Sequence, residues 1–206
     1  MNRTARRVYK RKSGKNGLFI ISAVVLAALI VFFFGNAAYK AVKEKYLLNN
    51  YPIRYQQLVE KYAAENNVDK FLIYAIIKTE SNFNSDAVSN MGARGLMQIM
   101  DETFQWVRFR LGDDEGLGYD AMFDEEQNIR YGCYLVGYLL RYFENEDAAI
   151  CAYHAGVGNV DSWLSNPDYS ADGKSLDAVP MSDTNHYLSK VKNALDIYQT
   201  LYKEEF

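Results

Sequence analysis

Leu18 to Phe34 is an unbroken apolar run, LFIISAVVLAALIVFFF, with Ser22 its only polar side chain. As a helix it spans about 25 Å, and continuing to Ala38 gives about 31 Å, matching a hydrocarbon core of ~30 Å. The flanks sharpen the reading. Met1 to Gly17 carries seven basic residues and no acid, and no charge follows until Lys40. Burying those cations in hydrocarbon is costly, so they stay on the cytoplasmic side and the C-terminal bulk is exported. Tyr39 and Tyr46 suit an interfacial belt. The expected organisation is a basic cytoplasmic arm (1–17), a transmembrane anchor (18–38), a juxtamembrane connector (39–51) and one exported domain (52–206). A cleaved signal peptide competes, since Gly35-Asn36-Ala37 offers small residues at −3 and −1. The apolar run, however, exceeds the usual 7–15 residues of a signal core. Nucleic acid is a chemically conceivable partner for the basic arm, but its place beside the apolar run makes membrane orientation its expected role, and no nucleic-acid partner is expected.

The overall charge of −3 hides this division, because from Lys40 onward 16 Lys/Arg face 26 Asp/Glu. With 49% hydrophobic residues and only 3 Pro, the chain is neither disordered nor collagenous. Cys133 and Cys151 fit no metal spacing and read as two small core residues.

The exported part reads as all-α or α-rich, with little strand alternation. Helices are expected over 53–66, 70–81, 103–111, 129–142, 147–154 and 187–202. Gly156 and Gly158 stop the fifth, and 165–185 forms a long polar loop. The helix over 70–81 contains FLIYAIIKTE, apolar nearly all round, and should be central and buried.

Chemistry narrows by elimination. The chain has no GxSxG, HExxH, P-loop or GxGxxG pattern, and two histidines supply a metal site poorly. Asp168, Ser170, Asp172 and Gly173 begin like a calcium loop, but Val179 stands where a bidentate Glu is required. Asp113-Asp114-Glu115 reads as a solvated loop. No metal or other cofactor is expected. Glu80 remains: it ends the apolar helix before a Gly-punctuated segment, where desolvation raises a carboxyl's pKa and suits it to general-acid work. On its own it reads more readily as an ordinary last-turn Glu facing solvent.

The neighbourhood decides. Glu80-Ser81-Asn82-Phe83-Asn84, then Ser89, then Gly92-Ala93-Arg94-Gly95-Leu96-Met97-Gln98-Ile99-Met100 resembles the signature of the SLT-type lytic transglycosylases, relatives of goose-type lysozyme. Ala152-Tyr153-His154-Ala155-Gly156-Val157-Gly158-Asn159-Val160 is similar to that family's A-Y-N-A-G-x-G-x-V, and Asp183-Thr184-Asn185-His186-Tyr187 to its E-T-x-x-Y.

The resemblance implies a lysozyme-like α-domain with a cleft for peptidoglycan glycan strands. It implies Glu80 as the single catalytic acid/base, forming a 1,6-anhydro sugar end. For the cleft it implies Ser89, near the carboxyl and able to hydrogen-bond it, and Gly92 and Gly95, where backbone approaches the sugar. It further implies Gln98, facing acetamido groups, Tyr153 and Tyr187 around the acid, and His154 and Asp183 as substrate-binding positions. Met97 and Met100 are open between core and cleft wall. His154 stands where the family usually has Asn, and Asp183 where it has Glu. The expected function is a membrane-anchored lytic transglycosylase in cell-wall remodelling. A hydrolytic muramidase and a non-catalytic glycan-binding scaffold are the alternatives, and the sequence names no protein partner. The acidic domain shares its sign with anionic wall polymers, so its affinity must come from the cleft.

Overall fold

The computed structural model describes residues 15–114 and 116–203. They fall into two units, residues 1–49 and 50–206, described separately below.

The described part of the first unit is one helix, α1 (Lys15–Asn50). Among its described side chains Val31, Phe32, Phe33 and Phe34 all stand exposed. From Ala23 onward it is long and apolar enough to cross a membrane, with mean hydropathy 1.8. The stretch expected as a polar connector is helical too. Residues 39–50 contain neither Gly nor Pro, so nothing interrupts the backbone bonds until Pro52 disfavours helix at Tyr51. Most of the basic arm lies outside the described residues; Lys15 opens α1.

The second unit is all-α among the described residues: α2 (Gln56–Glu65), α3 (Lys70–Glu80), α4 (Asp101–Leu111), a 3₁₀ turn (Tyr119–Phe123), α5 (Glu125–Phe143), α6 (Glu146–Ala155), α7 (Val157–Leu164) and α8 (Ser182–Tyr202). Side-chain caps start three of them. Asp69 accepts from Phe71 N–H, Asp124 from Gln127 N–H and Asn145 from Ala148 N–H, each at 2.8–2.9 Å. As the sequence predicts, α3 is central, with Leu72 through Ile77 all buried. It packs on α8, where Tyr74 stacks on Tyr198 at 5.4 Å.

Two boundaries differ from expectation. Gly156, with φ +85°, ends α6 but also begins α7, and Gly158 lies inside that new helix. One residue in a conformation open to glycine turns the chain, and VGNVDSWL resumes helix with Val160 and Trp163 buried. α8 begins at Ser182, five residues before Tyr187, so the polar loop is shorter than expected.

The loop before α8 holds itself together. Asp172 accepts from Lys174 N–H, Ser175 N–H and Ser175 Oγ, and these bonds hold its carboxyl well below the usual range. Asp113 is likewise more than a solvated acid: its carboxylate takes both guanidinium nitrogens of Arg130 and the hydroxyl of Tyr131. Cys133 and Cys151 are buried free thiols.

Candidate active site

The site is built from the end of α3, the loop over 81–100, and the facing parts of α6 and α8. The loop's geometry is demanding. Asn82, Phe83, Gly92, Gly95 and Gln98 all have positive φ, and two isolated bridges, Val88 to Arg94 and Arg94 to Ile99, fold it back on itself. Non-glycine residues in that region cost energy and persist only where their surroundings fix them.

The bracing is visible. Asn128, 1% exposed on α5, accepts from Met97 N–H at 2.8 Å and donates to Arg94 and Met122 carbonyls at 3.0 and 2.8 Å. Tyr119 Oη lies 2.7 and 2.8 Å from the carbonyls of Gly92 and Ile99. Ser81 Oγ donates to Leu96 O at 2.8 Å, and Tyr153 Oη to Met97 O at 2.6 Å. Gly95 presses on α5 so closely that a Cβ there would lie 2.1 Å from Met122 O and 2.2 Å from Asn128 Nδ2. One turn along α5, Gly132 leaves room for the Met97 sulfur.

These contacts redefine several expected roles. Ser89 Oγ accepts from Met91 and Ala93 N–H inside its own loop, and its hydroxyl makes no hydrogen bond to Glu80. Gln98 Nε2 donates to the carbonyls of Ala87 and Gly95, so the amide's donor end closes the loop. Gly95 serves protein–protein closeness at α5. Met97 is fully buried, whereas Met100 is exposed.

Glu80 sits half-buried at the last residue of α3. Burial pushes its carboxyl up to about 7, opposed by a hydrogen bond from Tyr187 Oη to Oε1 at 2.7 Å. The helix C-terminus adds to the penalty on a negative charge. Tyr187 is 6% exposed, and burial beside Glu80 raises its phenol well above the usual range. His154, exposed on one side, lies over the Tyr187 ring with centroids 4.6 Å apart and has Nδ1 3.1 Å from Thr184 Oγ1. Partial burial lowers its proton affinity, and Asp183 opposes that. Asp183 itself is exposed in the first turn of α8.

The structure therefore brings together Glu80, Tyr187 and His154, with Tyr153 near enough for Glu80 to act on it electrostatically. It turns Ser89, Gly95 and Gln98 into loop supports. Tyr153 also lines a cavity of about 360 Å³ with Glu102, Thr103, Trp106, Tyr138 and Gly156. Trp106 and Tyr138 meet edge to face at 4.8 Å. Such a wall, apolar faces with a few polar groups, has the make-up of a small-molecule site.

Sequence reasoning missed Asn128, Tyr119, Thr184 and the Trp106–Tyr138 wall. Asn128 had a signal: with Gly132 it places a polar and a side-chain-free residue, one turn apart, on the otherwise apolar face of α5.

A family model described as the transglycosylase SLT domain matches residues 57–175. Over 162 residues, 77% of this chain, there is 32% identity to 24% of the soluble lytic murein transglycosylase of Salmonella typhimurium. Over 167 residues, 71% of this chain, there is 31% identity to 47% of the membrane-bound lytic murein transglycosylase C of Serratia proteamaculans. Among solved structures, the 70-kDa soluble lytic transglycosylase of Escherichia coli matches with a TM-score of 0.67 and 27% identity, over 75% of this chain and 25% of that one. The chain thus spans about a quarter of the length of the soluble relatives it matches.

Proposed function

Since this chain belongs to the transglycosylase SLT domain family, we propose that it is a peptidoglycan lytic transglycosylase, held at the membrane by α1 and acting on glycan strands outside it during wall remodelling. The reaction cleaves the β-1,4 bond between N-acetylmuramic acid and N-acetylglucosamine and leaves 1,6-anhydro ends.

The observation that carries this reading is Glu80: a half-buried carboxyl with an affinity of about 7 for its proton and one protein hydrogen bond. Protonated near neutrality, it gives its proton to the glycosidic oxygen as the bond to the anomeric carbon breaks. The carboxylate left behind is poorly solvated and therefore basic, and Tyr187 steadies it. It then takes the proton of the muramoyl 6-hydroxyl as that oxygen attacks the anomeric carbon. The enzyme returns to its starting protonation state without consuming water. A retaining hydrolase sets a second carboxylate ~5 Å from the acid as nucleophile, whereas in this route the muramoyl 6-hydroxyl takes that part. The braced loop and the Trp106–Tyr138 wall position the strand, with Tyr153 and Asp183 at its edge.

Mass spectrometry of digested sacculi tests the reading. Anhydro-ended muropeptides are expected from the wild type, with a loss of 10²–10⁴-fold in Glu80→Gln. Reducing ends alone would assign the chain as a muramidase, and binding without lysis as a scaffold.

A further inference from the structure

If Glu80 is the acid, a second residue acts on it at one remove. The Tyr187 hydroxyl that meets Glu80 lies on the Cβ–Cγ axis of its ring, so its position is set by the swing of the whole ring about Cα–Cβ and by what packs against the ring's faces. Something must aim it. The imidazole of His154 lies face-on to that ring, 4.6 Å between centroids and 29° from parallel. The same imidazole is tied through Nδ1 to Thr184 Oγ1 at 3.1 Å, and Thr184 is fully buried in the first turn of α8, one turn before Tyr187. His154 is thus pinned twice to one helix, by an edge bond and by a stacked face, and it screens the buried phenol from solvent.

We propose that His154 is a positioning residue for Glu80: stacked on Tyr187 and moored to Thr184, it holds the phenol hydroxyl on the carboxyl oxygen. Asp183 of α8 acts on the imidazole electrostatically, Tyr187 lies under it, Tyr153 precedes it on α6, and Glu80 of α3 lies beyond Tyr187. None of these requires the imidazole to be charged, because a neutral ring stacks and its Nδ1 can either donate to or accept from the threonine hydroxyl. Losing the plate lets the phenol swing, weakens the bond that favours the carboxylate, and raises the proton affinity of Glu80.

Glu80 ionisation is read without substrate, as the pH dependence of the stability gap between each protein and its Glu80→Gln counterpart. The upper inflection, near 7 in the wild type, is expected to rise by about one unit in Tyr187→Phe and by about half a unit in His154→Ala. His154→Phe, which keeps a flat ring, should return it to the wild-type position. In lysis assays the alkaline limb of kcat/KM should move in step, with kcat of His154→Ala falling several-fold and KM held within about twofold. An inflection unmoved in His154→Ala, or moved equally in His154→Phe, would overturn the positioning role. A wild type without lytic activity would instead overturn the assigned function, while the stability readout, which needs no glycan, would still decide the positioning role.

Discussion

Glu80 makes a prediction that runs against the usual behaviour of acidic residues. Its folded value, about 7, lies above the ordinary 4.5, so the proton is held more tightly in the folded chain than in the unfolded one. The stabilisation from that proton is complete below about 4.5, fades as pH rises, and is gone above 7. Glu80→Gln carries no such dependence. The variant should match the wild type near pH 4 and exceed it above pH 7 by up to about 3 kcal/mol, measured as urea midpoints across pH. An equal gap at both pH values would mean the carboxyl ionises normally. The apolar helix FLIYAIIKT alone does not single this residue out; the Glu80-Ser81-Asn82-Phe83-Asn84 segment and the Gly-punctuated run after it do. The sequence does not expose what Ser89 and Gln98 do. Short polar side chains reach either a ligand or the nearest backbone, and only the folded path of the loop decides which.

At the scale of elements, the critical joint is between α5 and the loop over 81–100. Asn128→Ala leaves Met97 N–H and two carbonyls without their buried partner. Stability should drop by about 2–4 kcal/mol, and lysis should fall more than the folded fraction does, since the loop borders the acid. Gly95→Ala forces a carbon into Met122 O and Asn128 Nδ2 at a positive φ and should cost at least as much. Denaturant titration with a parallel lysis assay checks both. Helices were legible where apolar spacing was strong, as in α3, α5 and α8. The connector misled because polar composition resembles a loop, yet AVKEKYLLNN has no breaker. α7 misled because two glycines resemble a stop, while only Gly156 takes a left-handed φ.

For the whole molecule, the strongest expectation concerns where it resides. A helix that exposes Val31 through Phe34 to its surroundings needs an apolar medium. The full chain should stay in the membrane pellet after alkaline carbonate washing, while residues 50–206, a compact unit, should be soluble and should still cleave isolated sacculi. Release of the full chain by carbonate would remove the anchor from the account. The expectation of an anchor rests on charge: seven cations, a run without charge, then a net acidic remainder.

The pairing of α3 with α8 has a consequence for biosynthesis. The hydroxyl that meets Glu80 is supplied 107 residues further along the chain, by the last helix among the described residues. As the polypeptide emerges vectorially, the acid is made early and its partner late, so no nascent or prematurely terminated chain short of α8 can assemble the pair. The proposed active site is in this way assembled only once the rest of its domain has been synthesised, and the timing is written into the order of the helices.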